Sequence, residues 1–370
     1  MTQAGPPLTE LRPQEILQRL LVSTTSRLYG EFASEGVLVS HAWPPTHDTQ
    51  ASARIVPGPN SRSTYIFSFE TPPQLHTPGV VVPYYGPTGN TFCAYLAALF
   101  GKRFDNHGAI QSSGIFYVPS FSVFGSMCIA ALPQNTHHVR ADFPIPLNLT
   151  ELRRLEPLWN GGSSTDPGAH QAFEGACLFY LRALQTAEDD PEVAYLHLIT
   201  TGEILAGAHE VDESDLLDDD LQRAFEEITK HVPKGDRVVR MLSRRLGQIT
   251  RRYARLFTDY VDESFFERRE ASEPYEALSS ESFRTAITAA YHLRSAFVHS
   301  GARFGSWVSA SWLRNGEVQL GQPVIDDPEL QKAVSRAPTL VGLERVTRYV
   351  LLRFAEKRLG LNLEVAISTS

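Results

Sequence analysis

Apolar positions change rhythm along this chain. Between about residues 30 and 150 they come in short runs, "STYIFSFE", "GVVVPYY", "SGIFYVPSFSVFG" and "MCIAALP", bounded by turn residues. Runs of this length between Gly, Pro and Ser predict strands. "TFCAYLAALFG" instead predicts a helix embedded among them and ending at Gly101. "PLWNGGSSTDPGAHQ", Pro157 to Gln171, reads as a linker. Beyond it the period becomes helical, and the pattern predicts helices near 169–187, 191–208, 213–231, 236–263, 280–300 and 339–359. "DPE" occurs at Asp190 and at Asp327, each at a helix start signal: Asp as N-cap, Pro in the first position, Glu in the first turn. No internal repeat is visible. The expected fold class is α+β overall, with a mixed α/β N-terminal domain over 1–156, a linker over 157–170 and an all-α domain over 171–370.

Composition narrows the function classes. With 370 residues and 42% hydrophobic content the chain can bury a sizeable core. Its formal net charge of -8 excludes a whole-chain basic field, so any nucleic-acid binding must come from a local patch. Cys93, Cys128 and Cys177 form no CxxC pair, and an odd count argues against a disulfide framework. "MTQAGPPLTELRPQEIL" lacks a basic stretch followed by an apolar run, so no signal peptide is expected. No apolar run approaches the roughly 18 residues of a membrane span. A cytoplasmic protein with no membrane partner is the expectation.

The segment "YHLRSAFVHSG", Tyr291 to Gly301, carries the candidate chemistry. Projected as a helix, Ile287, Ala290, Tyr291, Phe297 and Val298 gather on one side, and Arg294 falls within that stripe. An unpaired buried guanidinium is costly, so Arg294 needs a carboxylate partner or a seam where an anion arrives. His299 sits in the last turn, where the helix dipole favours positive charge, and Gly301 is a candidate C-cap. Five residues separate Arg294 and His299 by about 140° on an ideal helix. They converge on one point beyond the helix end, or when a second copy of the helix packs against the first. The spacing alone says little: with 29 arginines and 12 histidines, roughly one Arg-x4-His is expected by chance. A structural ion pair at Arg294 and a polar helix end at His299 are the plain alternative.

"AAYHLRSAFVHSG" resembles the signature of HEPN domains, specifically the Apea-like branch, in which Arg-x4-His ends a helix and Gly comes next. "FYLRALQTAEDDPEVAYLHLITTGEILAG" is similar to the opening helical pair of that branch, with Glu203 as the acidic residue late in the second helix. The resemblance covers roughly 170–360. It implies an HEPN-like all-α helical bundle that forms a homodimer, with two Arg–His motifs facing each other across a cleft. Many such domains cut RNA without a metal, often as toxins or antiviral effectors in bacteria. Others are inactive and bind nucleotide, RNA or a protein partner. Arg294 and His299 match the motif. Ser295 departs from it, because active members often carry Asn, Asp or His directly after the Arg.

The residue types suit RNA cleavage. An imidazole handles the proton of the 2′-OH and that of the leaving oxygen. A guanidinium fork matches two phosphoryl oxygens. The expected function is therefore a metal-independent endoribonuclease with Arg294 and His299 catalytic, Ser295 and Glu203 supporting, RNA as substrate and no cofactor. No HExxH is present, and His137–His138 lacks a carboxylate or Cys at ligand spacing, so no metal site is expected. Arg237, Arg240, Arg244, Arg251 and Arg255 project on one face of the helix read over 236–263, with Val238, Leu242, Leu246, Ile249 and Leu256 on the other. That stripe is either a phosphate track or a solvated face paired with the upstream acidic segment. Glu203 shares a face with Val193, Leu196 and Thr200, which points it inward, where pairing with Arg294 is the expected role. Trp307 and Trp312 are base-stacking or core residues.

In the N-terminal region, "VVVPYYGPTGNTF" has the layout strand, Gly-rich turn, helix, but it fails the phosphate-loop pattern and reads as a turn capping a helix. Lys102, Arg103 and His107 are placed near a loop after that helix. A sensor domain that receives a protein or phage-derived trigger is the expectation by analogy.

Overall fold

The computed structural model describes residues 16–42, 62–72, 84–120, 133–159 apart from 136, 138 and 141, 166–211, 216, 219–245, 249–309 and 315–363. The chain divides into two compact units, Met1–Val139 with Phe143–Gly162, and Arg140–Asp142 with Ser163–Ser370.

The first unit is built on strands β1 (Leu17–Thr24), β2 (Leu28–Tyr29), β3 (Phe32–Ser34), β4 (Val37–His41) and β5 (Ser63–Glu70), helix α1 (Gly86–Phe100), then β6 (Phe104–Ser112), β7 (Ile115–Phe116) and β8 (Leu147–Asn148). Six strands form an antiparallel sheet in the order β3-β4-β5-β1-β6-β7, while β2 and β8 pair in parallel. Strand β1 sits inside the sheet and pairs β5 from Leu17↔Glu70 to Thr24↔Ser63. Its polar Gln18 hides it from a reading of apolar runs. That side chain is fully buried, accepts from Ser112 Oγ at 2.6 Å and donates to Thr71 Oγ1 at 3.2 Å, so burial leaves it satisfied.

Helix α1 packs on β6 and β1, and Phe92 stacks on Phe67 of β5 with ring centroids 3.8 Å apart. It ends at Gly101 in the left-handed conformation (φ 60°), as the sequence predicts. It starts earlier than predicted, because Gly86 to Gly89 form its first turn with a proline at its start. A Cβ on Gly89 would lie 2.6 Å from Leu20 Cδ1 and 2.7 Å from Asn106 Nδ2, so the helix meets the sheet where no side chain fits. Lys102 and Arg103 lie in the turn between α1 and β6, near the expected loop. Lys102 is fully buried, Arg103 pairs with Asp105 at 3.1 Å, and His107 lies within β6. His107 bonds Ser23 Oγ at 2.7 Å and the Ser120 carbonyl at 3.0 Å, and burial lowers its pKa. The runs "GVVVPYY" and "MCIAALP" fall largely or wholly outside the described residues, as do Cys128 and His138. Cys93 and Cys177 are free, buried thiols.

The second unit is helical: α2 (Pro167–Thr186), α3 (Pro191–Ala208), α4 (Asp219–His231), α5 (Gly235–Arg245), α6 (Ile249–Tyr260), α7 (Phe283–Ser300), α8 (Pro328–Arg336) and α9 (Leu340–Leu359), with single turns between. The predicted starts at Asp190 and Asp327 hold. The Asp190 carboxylate accepts from Val193 N at 3.1 Å, and that of Asp327 from Glu329 N at 2.9 Å. A third Asp-Pro start at Asp166 lies inside the stretch that reads as linker. Its carboxylate caps Ala169 N at 2.9 Å, so α2 begins at Pro167. The helix expected over 236–263 is two helices. The interval 246–248 lies outside the described residues. Helix α3 packs on α2, α6, α7 and α9. Its contact with α6 is close, since a Cβ on Gly202 would sit 2.4 Å from Tyr253 Cε2 and 2.8 Å from Phe257 Cε2.

Helix α9 is buried on every side over its first turns, by Val341, Leu343, Val346, Val350 and Leu351. Glu344, Arg345 and Arg348 therefore have no route to water and must pair inside. Arg140 clamps Glu344 with two bonds of 2.9 and 2.8 Å and reaches Glu270 at 3.0 Å, while Tyr180 also donates to Glu344. Burial disfavours the Arg140 charge, but Glu344 and Glu270 outweigh it and raise its pKa well above the ordinary value. Arg345 donates to Glu317 at 2.6 Å and lies 3.8 Å over the Phe265 ring. Arg348 pairs with Asp142 at 2.5 Å. Glu317 in turn accepts from the backbone of Glu270 at 2.7 Å and Leu278 at 3.0 Å, which fixes the segment leading into α7.

Glu344→Ala breaks the two-bond clamp on the buried Arg140 and leaves it only Glu270, and urea unfolding should show a loss of about 3 kcal/mol. A loss below about 1 kcal/mol, typical of a surface pair, would mean the clamp is not buried as described. The network should also respond to acid. Burial raises the Asp142 pKa, but Arg348 and Arg140 outweigh it and leave it lowered. Its contribution is then present above the unfolded value of about 4 and lost as pH falls through the folded pKa. Unfolding free energy should drop with acid below about pH 4, with a shallower slope in Asp142→Asn.

Candidate functional site

The Arg–His segment occupies the last two turns of α7. Phe283, Ala286, Ile287, Ala290, Tyr291 and Leu293 are buried. From Arg294 onward the helix leaves the core. Val298 is 53% exposed and His299 is exposed. Val298 thus does not belong to the buried face, and Arg294 lies where that face ends rather than at its middle. The helix closes on Gly301 (φ 70°), as predicted.

The segment after Gly301 is pinned by Glu192, from the first turn of α3. The buried Glu192 carboxylate accepts from Phe304 N at 2.6 Å and Gly305 N at 3.0 Å, and pairs with Arg303. Phe304 then packs on Phe297 at 6.0 Å and Tyr195 at 5.4 Å between ring centroids. The last turn of α7 is held by these contacts while His299 stays outside them. Among the described residues the His299 ring has no hydrogen bond or ion pair, and the Ser295 hydroxyl has none either.

Arg294 has a partner, and it is Glu203. Arg294 Nη2 lies 3.5 Å from Glu203 Oε2, with 28% and 18% of the two side chains exposed. Tyr291, one turn earlier, donates to Glu203 Oε1 at 2.9 Å, and the guanidinium lies 5.8 Å over the Tyr291 ring. Burial, then the Glu203 hydrogen bond, pushes the Tyr291 pKa up to about 12, so the phenol stays a donor at neutral pH. Glu203 is half-buried, on the flank shared with Val193, Leu196 and Thr200; the deep face of α3 is instead Ala194, Tyr195, Leu198, Ile199 and Gly202. The Tyr253 ring of α6 lies 5.3 Å from that of Tyr291, and among the described residues its buried hydroxyl has no hydrogen-bond partner. Burial, then the nearby Tyr195 and Glu203, raises its pKa well above the ordinary value. Arg294, Glu203 and Tyr291 therefore come together, with Tyr253 beside them.

The five arginines of the expected stripe do not share one continuous helix. Arg237 is on α5 and exposed. Arg251 and Arg255 are on α6, where Arg251 donates to the Leu216 carbonyl at 2.9 Å and Arg255 pairs with Asp259 at 3.0 Å. The side chains of Arg240 and Arg244 lie outside the described residues, as does Trp312. Ile249, expected on the apolar side, is 55% exposed because it opens a new helix.

Sequence reasoning misses Glu192, Tyr291 as donor, and the cluster around Arg140. Glu192 reads only as a helix-start charge. Arg140 carries no signal, because its partner Glu344 is 204 residues away. Among the described residues no group of His, Cys, Asp or Glu is placed to hold a metal ion, and no helix is long and apolar enough to cross a membrane. No family model, curated protein or solved structure matches the chain.

The loose geometry of the Arg294–Glu203 pair makes a measurable distinction. A long, part-exposed ion pair is worth under about 1 kcal/mol, so Arg294→Ala should leave the unfolding free energy in urea within that margin of wild type. A loss of about 3 kcal/mol or more, the range for breaking a buried pair, would make Arg294 a structural residue.

Proposed function

We propose that the helical unit is an HEPN-like bundle of the Apea-like branch, and that the chain is a cytoplasmic, metal-independent endoribonuclease acting as a homodimer. The observation that carries this reading is the end of α7. A guanidinium is oriented by Glu203 yet only loosely held, and an exposed imidazole comes after it on the same helix with no partner among the described residues.

In this reading Arg294 holds a phosphoryl oxygen and stabilises the charge that grows there. One His299 takes the proton from the 2′-OH, and the 2′ oxygen bonds to phosphorus. The bond from phosphorus to the 5′ oxygen breaks, and the protonated His299 of the second copy supplies that oxygen's proton. The products are a 2′,3′-cyclic phosphate and a free 5′-OH. Two copies are needed because the two proton roles fall on opposite sides of the phosphorus. Glu203 and Tyr291 act as positioning residues for Arg294. A role in antiviral defence, with the first unit receiving a protein or phage-derived trigger, rests on the family resemblance.

Ser295 favours a second reading, an inactive HEPN module that binds nucleotide, RNA or a protein partner, because a serine hydroxyl is neither a strong acid nor a strong base. The two separate in one assay. RNA is incubated with the full chain in excess EDTA, and wild type is compared with His299→Ala and Arg294→Ala of matched fold and oligomeric state. The nuclease reading expects cleavage by wild type, cyclic phosphate ends, and a fall of about 10²–10⁴ in rate for His299→Ala. RNA left intact by all three, also with phage extract added, would sink the nuclease and leave the binding module.

A further inference from the structure

Helices α7 and α8 pack side by side, and a groove of about 330 Å³ runs between them. Arg284, Thr288 and His292 line it from α7, and Glu329, Lys332 and Arg336 from α8. The spacings explain why. Residues 284, 288 and 292 recur every four positions, and 329, 332 and 336 are spaced by three and four, so each set is one stripe on its helix. The apolar stripes behind them, Ile287 and Ala290 on α7 and Leu330 and Val334 on α8, are buried. Burying those stripes turns the polar ones into a common groove.

The charge in that groove is unbalanced. Arg284, Lys332 and Arg336 are exposed cations, His292 adds ring nitrogens, and Glu329 is the one carboxylate among the lining residues. Among the described residues none of these four basic side chains makes a hydrogen bond or ion pair. Arg140, Arg345, Arg348, Arg353 and Arg358 have carboxylate partners, while Arg237, Arg252 and Arg268 share the unpaired state among the described residues; what sets Arg284, Lys332 and Arg336 apart is that they line one groove. The groove is therefore locally positive in a chain whose formal net charge is -8.

The α7 stripe also continues. Ser295 and His299 lie three and seven residues beyond His292, on the same face, with His299 about 10 Å further along the axis. Arg294 lies on the other side of the helix, toward Glu203. The groove therefore leads toward the exposed imidazole.

We propose that this groove binds the phosphate backbone of single-stranded RNA and guides it to His299. Phosphates neutralise Arg284, Lys332 and Arg336, and the Thr288 hydroxyl, whose proton goes to the Arg284 carbonyl at 2.8 Å, is left to accept from a 2′-OH. The identity of the polyanion as RNA rests on the nuclease reading. The path replaces the α5–α6 arginines, two of which already have partners, as the phosphate-binding surface.

The test is binding of a labelled single-stranded 2′-O-methyl oligonucleotide, which lacks the attacking hydroxyl, to the full chain across a salt series. Each phosphate contact on a single strand contributes about 0.7 to the slope of log K against log salt. The triple variant Arg284→Ala, Lys332→Ala, Arg336→Ala should lower that slope by about 2 and weaken binding, with an unchanged melting temperature because all three side chains are exposed. Arg284→Lys with Arg336→Lys should keep the slope. An unchanged slope in the triple variant, or no binding by wild type at low salt, would overturn the groove. A change only in self-association would overturn it in favour of an acidic protein surface. Cleavage of ordinary RNA is scored separately. Groove-dependent binding without cleavage counts against the nuclease alone, and cleavage with groove-independent binding counts against the groove alone.

Discussion

A carboxylate and a guanidinium removed from water organise the helical unit. The first turns of helix α9 are enclosed on all sides, so Glu344 and Arg345 are stable only if every charge finds its counterpart. Arg140 meets Glu344, and Arg345 meets Glu317. Glu317 then uses its remaining acceptor capacity on backbone N–H groups of Glu270 and Leu278. Gly342 lets α9 approach that point, since a Cβ there would lie 2.2 Å from the Glu317 carbonyl oxygen. The segment held in this way runs directly into α7. This anchoring up to Leu278 and the buried face of α7 (Ala286, Ile287, Ala290, Leu293) together position the helix end that carries Arg294 and His299.

The network also shows why the sequence is an uneven guide. Helix existence is legible wherever period and caps agree: α3 and α9 fall almost on their predicted spans, and Gly101 and Gly301 close their helices in the left-handed conformation. Boundaries fail where a local signal sits in a misleading neighbourhood. Asp166-Pro167 has the same N-cap chemistry as Asp190-Pro191, but the Gly and Ser residues before it make the stretch look like linker. The helical period over 236–263 runs through Gly247 without a cap signal, and the elements on either side of 246–248 are separate helices. Strand β1 escapes for a different reason: a buried Gln18 breaks the apolar run, and only its cross-strand partners make it tolerable. Charge pairs 28 to 204 residues apart have no sequence signature. The polar residues of α9 do leave a trace, because a helix with apolar residues on every face has no side on which Glu344 and Arg348 can be solvated.

For the candidate site, the pairing of Arg294 with Glu203 is within reach of helical projection, since each residue falls beside an apolar stripe. The exposure of Val298 is not, because projection assumes that the whole helix is covered. The groove between α7 and α8 is invisible for a related reason. Arg284 and His292 on one helix and Lys332 and Arg336 on another read as solvated faces until packing sets them opposite each other.

Arg140, Arg294 and Arg284 show three grades of pairing within this unit. Arg140 and Arg345 are enclosed and bonded to carboxylates at 2.6 to 3.0 Å, so removing a partner is strongly destabilising and no ligand can displace it. Arg284 and Arg336 have no partner among the described residues, so an anion can recruit them without breaking a pair. Arg294 lies between, with a carboxylate at 3.5 Å and part of its surface open. The proposed role of Arg294 in charge stabilisation fits this middle state. If Glu203 bound it as tightly as Glu344 binds Arg140, a phosphate would have to break a buried pair before it could be held. If nothing bound it, a long flexible side chain would lose its rotamer freedom only at the moment of reaction. A loose pair orients the fork beforehand and still leaves donors for the incoming anion, which is the preorganisation that charge stabilisation requires.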